Sequence, residues 1–199
     1  MRFALLLVVL VGCTAVIGGT AAPPQAGDGD DDDGATPDAA LSAGETAVAR
    51  GMEWVAAEVP YCQSANHQPD GDSSCAATCE RPDNPAWDAY RSDCSGFVSW
   101  AWGLPPPGHT TATLAPFDTS VSTAIDAAQL QPGDAINNDT HTMLFVGWTT
   151  ADMTSAQFME EPGCSASQPY AREVTVTLTS SGQSVSVDGY GTFTAIRQQ

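Results

Sequence analysis

The chain contains no lysine. Its six basic residues are all arginine, against 24 aspartates and glutamates, giving a formal net charge of −18 over 199 residues. So few cations cannot gather phosphates along a groove, which counts against nucleic acid, or an anionic membrane held by charge, as a partner. Long apolar runs are also missing: the stretch Ala4 to Val11 is too short for a helix that spans a bilayer. No internal repeat is present, which removes solenoids and propellers. Paired C-x-x-C arms are absent too, which argues against a metal held by Cys62, Cys75, Cys79 and His67. Neither a metal nor a cofactor is expected.

The ends of the chain read differently from its body. Residues 1–12 pair a short positive start, Met1-Arg2-Phe3, with an apolar segment, as in an export signal. Leu10-Val11-Gly12-Cys13 fits a bacterial lipobox, in which Cys13 is acylated and becomes the new N-terminus; the other reading is an ordinary secretory signal cut near Ala21-Ala22. Residues 13–40, rich in Asp, Gly, Pro and Ala with the run Asp30 to Asp33, are expected to be a disordered acidic linker, a solvated spacer rather than a cation site. Residues 41–199 suffice for one domain with a single core. The expected product is an exported monomer, lipid-anchored in the bacterial cell envelope at a periplasmic or outer-membrane face, or secreted, touching membrane only through its anchor.

Setting aside Cys13 and Cys94 leaves Cys62, Cys75, Cys79 and Cys164, an even number suited to two disulfides in an oxidising compartment. Four cysteines allow three pairings, and the sequence does not choose among them.

Ser42 and Glu45 have capping-box spacing, and Val48, Met52, Val55 and Val59 follow at helical intervals, predicting a helix over Ser42 to Glu58 that Pro60 ends. Gln63 to Asn84 reads as a long loop pinned by disulfides. A helix is expected from Cys94 to Trp102, closed by Gly103 and Pro105, and a second short one around Ser120 to Ala128. Strands are expected at Ala135-Ile136, His141 to Trp148, Ala156 to Glu160, Val174 to Leu178, Val185 to Val187 and Thr192 to Arg197, with a turn at Gly182.

Asp93-Cys94-Ser95-Gly96-Phe97 places a cysteine at the start of an apolar helix. There the unsatisfied N–H groups and the positive dipole end favour a thiolate, making Cys94 a candidate nucleophile; the plain alternative is a buried free thiol. His141, heading an apolar strand, is the candidate base, against the alternative of a strand-end histidine. A third polar group normally fixes the imidazole tautomer. Strand alternation puts Phe158 and Glu160 on one face, which selects Glu160, with Glu161 in reserve, unless the two are solvated turn glutamates before Pro162-Gly163.

The order Val59-Pro60-Tyr61, Asp93 to Phe97, Pro132-Gly133-Asp134 and the His141 strand resembles the NlpC family of papain-like bacterial cell-wall cysteine peptidases, over about Glu53 to Arg197. The resemblance implies an α+β, papain-like fold: a helical lobe whose N-terminal nucleophile helix packs on an antiparallel β-sheet. It implies Cys94, His141 and Glu160 as catalytic residues, and Tyr61, Asp93 and Ser95 as oxyanion or substrate-binding residues, Asp93 also reading as a helix N-cap. In the family the third position is often histidine; a carboxylate there resembles the CHAP-type amidases. The implied activity is hydrolysis of amide bonds in peptidoglycan stem peptides, next to D-glutamate and a diamino acid, on peptidoglycan or a short peptide. The alternatives are a CHAP-type N-acetylmuramoyl-L-alanine amidase and a non-catalytic wall-binding lipoprotein.

Overall fold

The computed structural model of the protein describes residues 40–72 and 75–199. The expected export signal, Cys13 and the expected linker up to residue 39 lie outside the described residues.

Two helices, α1 (Ala43–Ala56) and α2 (Cys94–Ala101), precede seven strands: β1 (Ser122–Ala124), β2 (Ala135–Asn137), β3 (Thr142–Trp148), β4 (Ser155–Glu160), β5 (Arg172–Ser181), β6 (Ser184–Val187) and β7 (Gly191–Gln198). All pairings are antiparallel, in the order β1-β7-β2-β3-β4-β5-β6, and β6 pairs back onto β7 through Val185↔Phe193. Strands β2 to β7 therefore close into a six-stranded barrel, with β1 added along the end of β7.

This corrects the expected papain-like α+β architecture. No helical lobe is present among the described residues; the protein is mostly β, with two short helices against a closed barrel. The reason lies in the C-terminal half. Strands β5, β6 and β7 are long enough, and alternate regularly enough, to give the sheet a core of its own, so it curls and pairs its edges. Met143, Phe145, Phe158, Leu178, Val185, Val187, Phe193 and Ala195 form that core. A second cluster, including Trp54, Phe97, Val98 and Trp100, joins the helices to Leu144, Met159 and Ile196 on the opposite strand face.

Helix α1 starts as its sequence indicates: Ser42 Oγ accepts from Glu45 N (3.2 Å) and Glu45 Oε2 accepts from Ser42 N (2.8 Å). Gly44, in its first turn, packs against the Pro132-Gly133-Asp134 turn. A Cβ on Gly44 would run into the Pro132 carbonyl, and Gly133, at φ +89°, is as close to Gly44. Trp102 Nε1 fastens the same turn from α2, donating to Gly133 O at 2.7 Å.

The short helix expected over Ser120 to Ala128 is replaced by strand β1 and a 3₁₀ turn, Ala127–Gln129. The free edge of β7 captures Ser122 to Ala124, and the buried Ser122 hydroxyl accepts from Ala115 N at 2.9 Å. Asp126 then caps Ala128 N, limiting the helix to one turn. Among the described residues no helix is long and apolar enough to cross a membrane.

Candidate active site

Strand alternation places the site. His141 immediately precedes β3 and falls on the face of Met143 and Phe145, while Glu160 ends β4 on the face of Phe158, so both belong to the barrel-core side at one end. Asn138 Oδ1 accepts from His141 N at 2.8 Å and fixes the turn that delivers it. The Nε2–H of His141 donates to Glu160 Oε2 at 2.7 Å. A carboxylate only accepts, so this bond assigns the proton to Nε2 and leaves the Nδ1 lone pair free in the neutral ring.

Glu160 has no exposed side-chain surface. Its other oxygen, Oε1, accepts from Arg172 Nε (3.0 Å) and Nη2 (2.7 Å) and from Tyr190 Oη (2.8 Å). Burial alone pushes its pKa up and is the largest single influence. The hydrogen bonds from His141 and Arg172, the imidazole's charge and the Tyr190 bond together outweigh it, so the carboxyl sits below its ordinary range.

Glu161 stands in contrast. It points to the opposite strand face, toward the helices, is wholly buried, and neither of its oxygens has a hydrogen-bond partner. Burial first, then the charges of Asp93 and Glu160, raise its pKa well above the usual carboxylate value, against the opposing charge of Arg81. Of the two glutamates singled out in the sequence, Glu160 meets His141.

Cys94 opens α2 as the one free cysteine among the described residues. Asp93 is the N-cap: its Oδ1 accepts from Gly96 N (2.6 Å) and Ser95 Oγ (3.1 Å), and Arg91 Nε pairs with Oδ2 at 3.0 Å. Ser95 is thus turned onto the cap and is itself buried. Gly96 is required where it is, because a Cβ there would strike the Arg91 carbonyl. The backbone N–H groups of Thr142, the residue after His141, of Ser95 and of Cys94 itself act to lower the Cys94 thiol pKa. Burial, aided by the Asp93 charge, nevertheless prevails and pushes the thiol up to about 12. The helix start, expected to favour a thiolate, offsets burial only in part, and at rest the buried sulfur keeps its proton.

Tyr61, half-buried, accepts from Gln63 Nε2 at 3.1 Å. Burial is the main reason its phenol pKa is raised to about 12; the neighbouring Cys94, Asp93 and Asp72 act in the same direction, against the Gln63 bond. Disulfides Cys62–Cys79 and Cys75–Cys164 pin the loop between α1 and α2, the second to the segment after β4. Two disulfides suit an oxidising compartment. Buried Arg81 organises the rest of that loop, donating to Ser92 Oγ (2.8 Å) and to the carbonyls of Asp88 (3.0 Å) and Tyr90 (2.6 Å). His67, beside these cysteines, instead contacts Asp83 at 2.6 Å.

Sequence reasoning missed Arg172 and Tyr190. Arg172 begins a strand in a chain with only six arginines, a hint that it has a fixed partner. Tyr190, between Gly189 and Gly191 in a turn, gave no such signal.

No protein-family model matches the chain, and no curated protein matches it either. Among solved structures it is similar to the peptidoglycan hydrolase RipB from Mycobacterium tuberculosis, at 18% sequence identity and a TM-score of 0.46. The match covers 77% of this chain and 63% of the RipB chain, so the chain spans less than two thirds of that structure.

Proposed function

We propose that the protein is a cysteine hydrolase of the NlpC type that cleaves amide bonds in peptidoglycan stem peptides. The observation that supports this most is the His141–Glu160 pair at 2.7 Å, its carboxylate fully buried, together with a free cysteine that opens α2 and whose thiol pKa the backbone N–H of Thr142, the residue after His141, acts to lower. An imidazole held by a carboxylate through Nε2 has its basic nitrogen available, and a thiol at a helix start is the matching nucleophile.

As Cys94 attacks the amide carbon, its proton passes to His141. The tetrahedral oxyanion is met by N–H groups at the start of α2 and by the Tyr61 hydroxyl. The C–N bond breaks as the imidazolium returns that proton to the departing amine, leaving a thioester. Water, giving a proton to His141, then attacks the thioester and releases the acid, and the sulfur regains its proton. One water is consumed per bond cleaved. Because the thiol is neutral at rest, sulfur attack and proton transfer are coupled in this scheme.

The choice of peptidoglycan, and of a bond next to D-glutamate and a diamino acid, rests on the motif order Pro60-Tyr61, Asp93 to Phe97, Pro132 to Asp134 and His141. Export and a lipid tether at Cys13 belong to the same reading. Incubating peptidoglycan fragments with the wild type and with Cys94→Ala, followed by mass analysis of the released ends, tests it. New peptide termini that vanish in the variant support the proposal; equal product from both proteins, or none from either, removes it.

A second reading is N-acetylmuramoyl-L-alanine amidase activity of CHAP type, favoured by the carboxylate against His141. Sugar-free stem peptides beginning with L-alanine would select it in the same mass analysis.

A further inference from the structure

The geometry points to Tyr190 as a positioning residue that holds the His141 ring in plane and, with Arg172, locks the far oxygen of Glu160. This inference rests on the reading of His141 as the base.

Tyr190 sits in the turn between β6 and β7, flanked by Gly189 (φ +81°) and Gly191 (φ +104°), backbone conformations that carry it to the barrel end where His141 emerges. Its ring lies nearly parallel to the imidazole, with planes at 14° and centroids 6.0 Å apart, while Phe193 meets the imidazole edge-on at 6.3 Å. The Tyr190 hydroxyl donates to Glu160 Oε1 at 2.8 Å, the oxygen that also accepts twice from Arg172. One side chain therefore touches both members of the pair, through its face and through its hydroxyl.

The consequence is a carboxylate with no freedom to turn. Oε2 is reserved for His141 because Oε1 already has three donors. Rotation of the imidazole would cost it the parallel Tyr190 ring, the edge-on packing with Phe193 and the Nε2 bond. The charged and titratable groups around Glu160 are His141 ahead of β3, Arg172 on β5, Tyr190 in the β6–β7 turn and Glu161 next along β4. Loss of the tyrosine hydroxyl removes a bond that favours the ionised carboxylate, so Glu160 takes up a proton at higher pH.

The test uses Tyr190→Phe, Tyr190→Leu and Arg172→Gln in the full chain, with fold checked by near-ultraviolet circular dichroism. Two readouts are taken: nitrogen-detected imidazole NMR of His141, and the pH profile of kcat/KM on peptidoglycan fragments. In Tyr190→Phe the acid limb of the profile should move to higher pH, kcat should fall roughly 10-fold, in line with loss of one hydrogen bond to a charged group, and KM should change little. The His141 spectrum should lose its single Nε2–H tautomer. Tyr190→Leu should go further, and Arg172→Gln should move the acid limb in the same direction. A wild-type spectrum and acid limb in both Tyr190 variants would overturn the inference, as would an acid limb that moves in Arg172→Gln but not in Tyr190→Phe. If the wild type cleaves nothing, the hydrolase reading fails alone, and the imidazole spectra still decide the role of Tyr190.

Discussion

Glu160 and Glu161 are adjacent and both wholly buried, yet their pKa values are pushed in opposite directions. Glu160 has a donor on each oxygen and lies below the ordinary carboxylate range, whereas Glu161 has none and lies well above it. Period-two geometry is the cause. It sends one side chain to the His141 end of the barrel and the other toward Arg81 and Asp93, the N-cap of α2.

Glu161→Gln should therefore stabilise the protein at neutral and alkaline pH. Burial, then the charges of Asp93 and Glu160, raises the folded pKa above the ordinary value of 4.5. The folded state thus binds a proton that the unfolded state releases. Stability from the protonated group is full below that unfolded value and declines as pH rises toward the folded one. Glutamine cannot ionise, so thermal melts of variant and wild type should converge near the acid end and separate as pH increases. Melting temperatures whose difference is the same from acid to alkaline pH would contradict this.

Cys94 should react slowly with a small alkylating agent at neutral pH in the absence of substrate. Burial is the main reason its thiol lies at about 12, with the Asp93 charge adding to it, despite N–H contacts from Thr142, Ser95 and its own backbone. Below such a value the thiolate fraction grows roughly 10-fold per pH unit. The alkylation rate, followed by intact mass, should climb through the alkaline range without levelling off. A plateau reached below pH 8 would show a sulfur already ionised at rest.

Much of this architecture can be read from residue spacing. Ser42 and Glu45 mark the start of α1, the alternation of Val174, Val176 and Leu178 marks β5, and the face shared by Phe158 and Glu160 identifies the glutamate that meets His141. Barrel closure is another matter. It depends on β7 pairing with β2 on one edge and with β6 and β1 on the other, and alternation fixes a strand's faces without naming its neighbours. Tyr190 reaches Glu160 only through that closure, 30 residues away in sequence, so it escaped a reading of local pattern. Ser122 to Ala124 became a strand for the same reason: an unfilled edge of β7 lay beside it.

Arg197→Gln should destabilise the fold while leaving the surroundings of Cys94 and the His141–Glu160 pair in place. The buried Asp134 carboxylate, from the Pro132-Gly133-Asp134 turn, accepts from Arg197 Nε and Nη2, each at 2.7 Å, and from Gln131 N at 2.7 Å. Asp134 thus ties the start of β2 to the last strand of the barrel. Removing the guanidinium leaves a buried carboxylate with one donor fewer on each oxygen, a loss of about 1–3 kcal/mol. Arg197→Lys, which keeps charge but not the two-pronged geometry, should fall between. Urea titration measures both, and a midpoint at the wild-type value for Arg197→Gln would show that the pair contributes nothing.

Gly96→Ala should impair α2 more than its small size suggests. A Cβ at this position meets the carbonyl of Arg91, with the Arg91 carbonyl carbon at 2.8 Å and Asp93 Oδ1 at 3.0 Å. The first two are backbone atoms that no side-chain rotation can clear. Either the Arg91–Asp93 segment moves away, losing the 2.6 Å cap on Gly96 N, or α2 shifts and takes Cys94 with it. Overpacking of this kind costs about 1–3 kcal/mol, and loss of the cap adds about 1 kcal/mol. Urea midpoints should fall accordingly, and any hydrolytic rate should fall further than the folded fraction does, because Cys94, which opens α2, moves with the helix start. Ser95→Ala removes one hydrogen bond to the same cap without adding bulk and should show only a small part of both effects. If Gly96→Ala matches Ser95→Ala in midpoint and rate, close approach of the Arg91 carbonyl is not what requires glycine there.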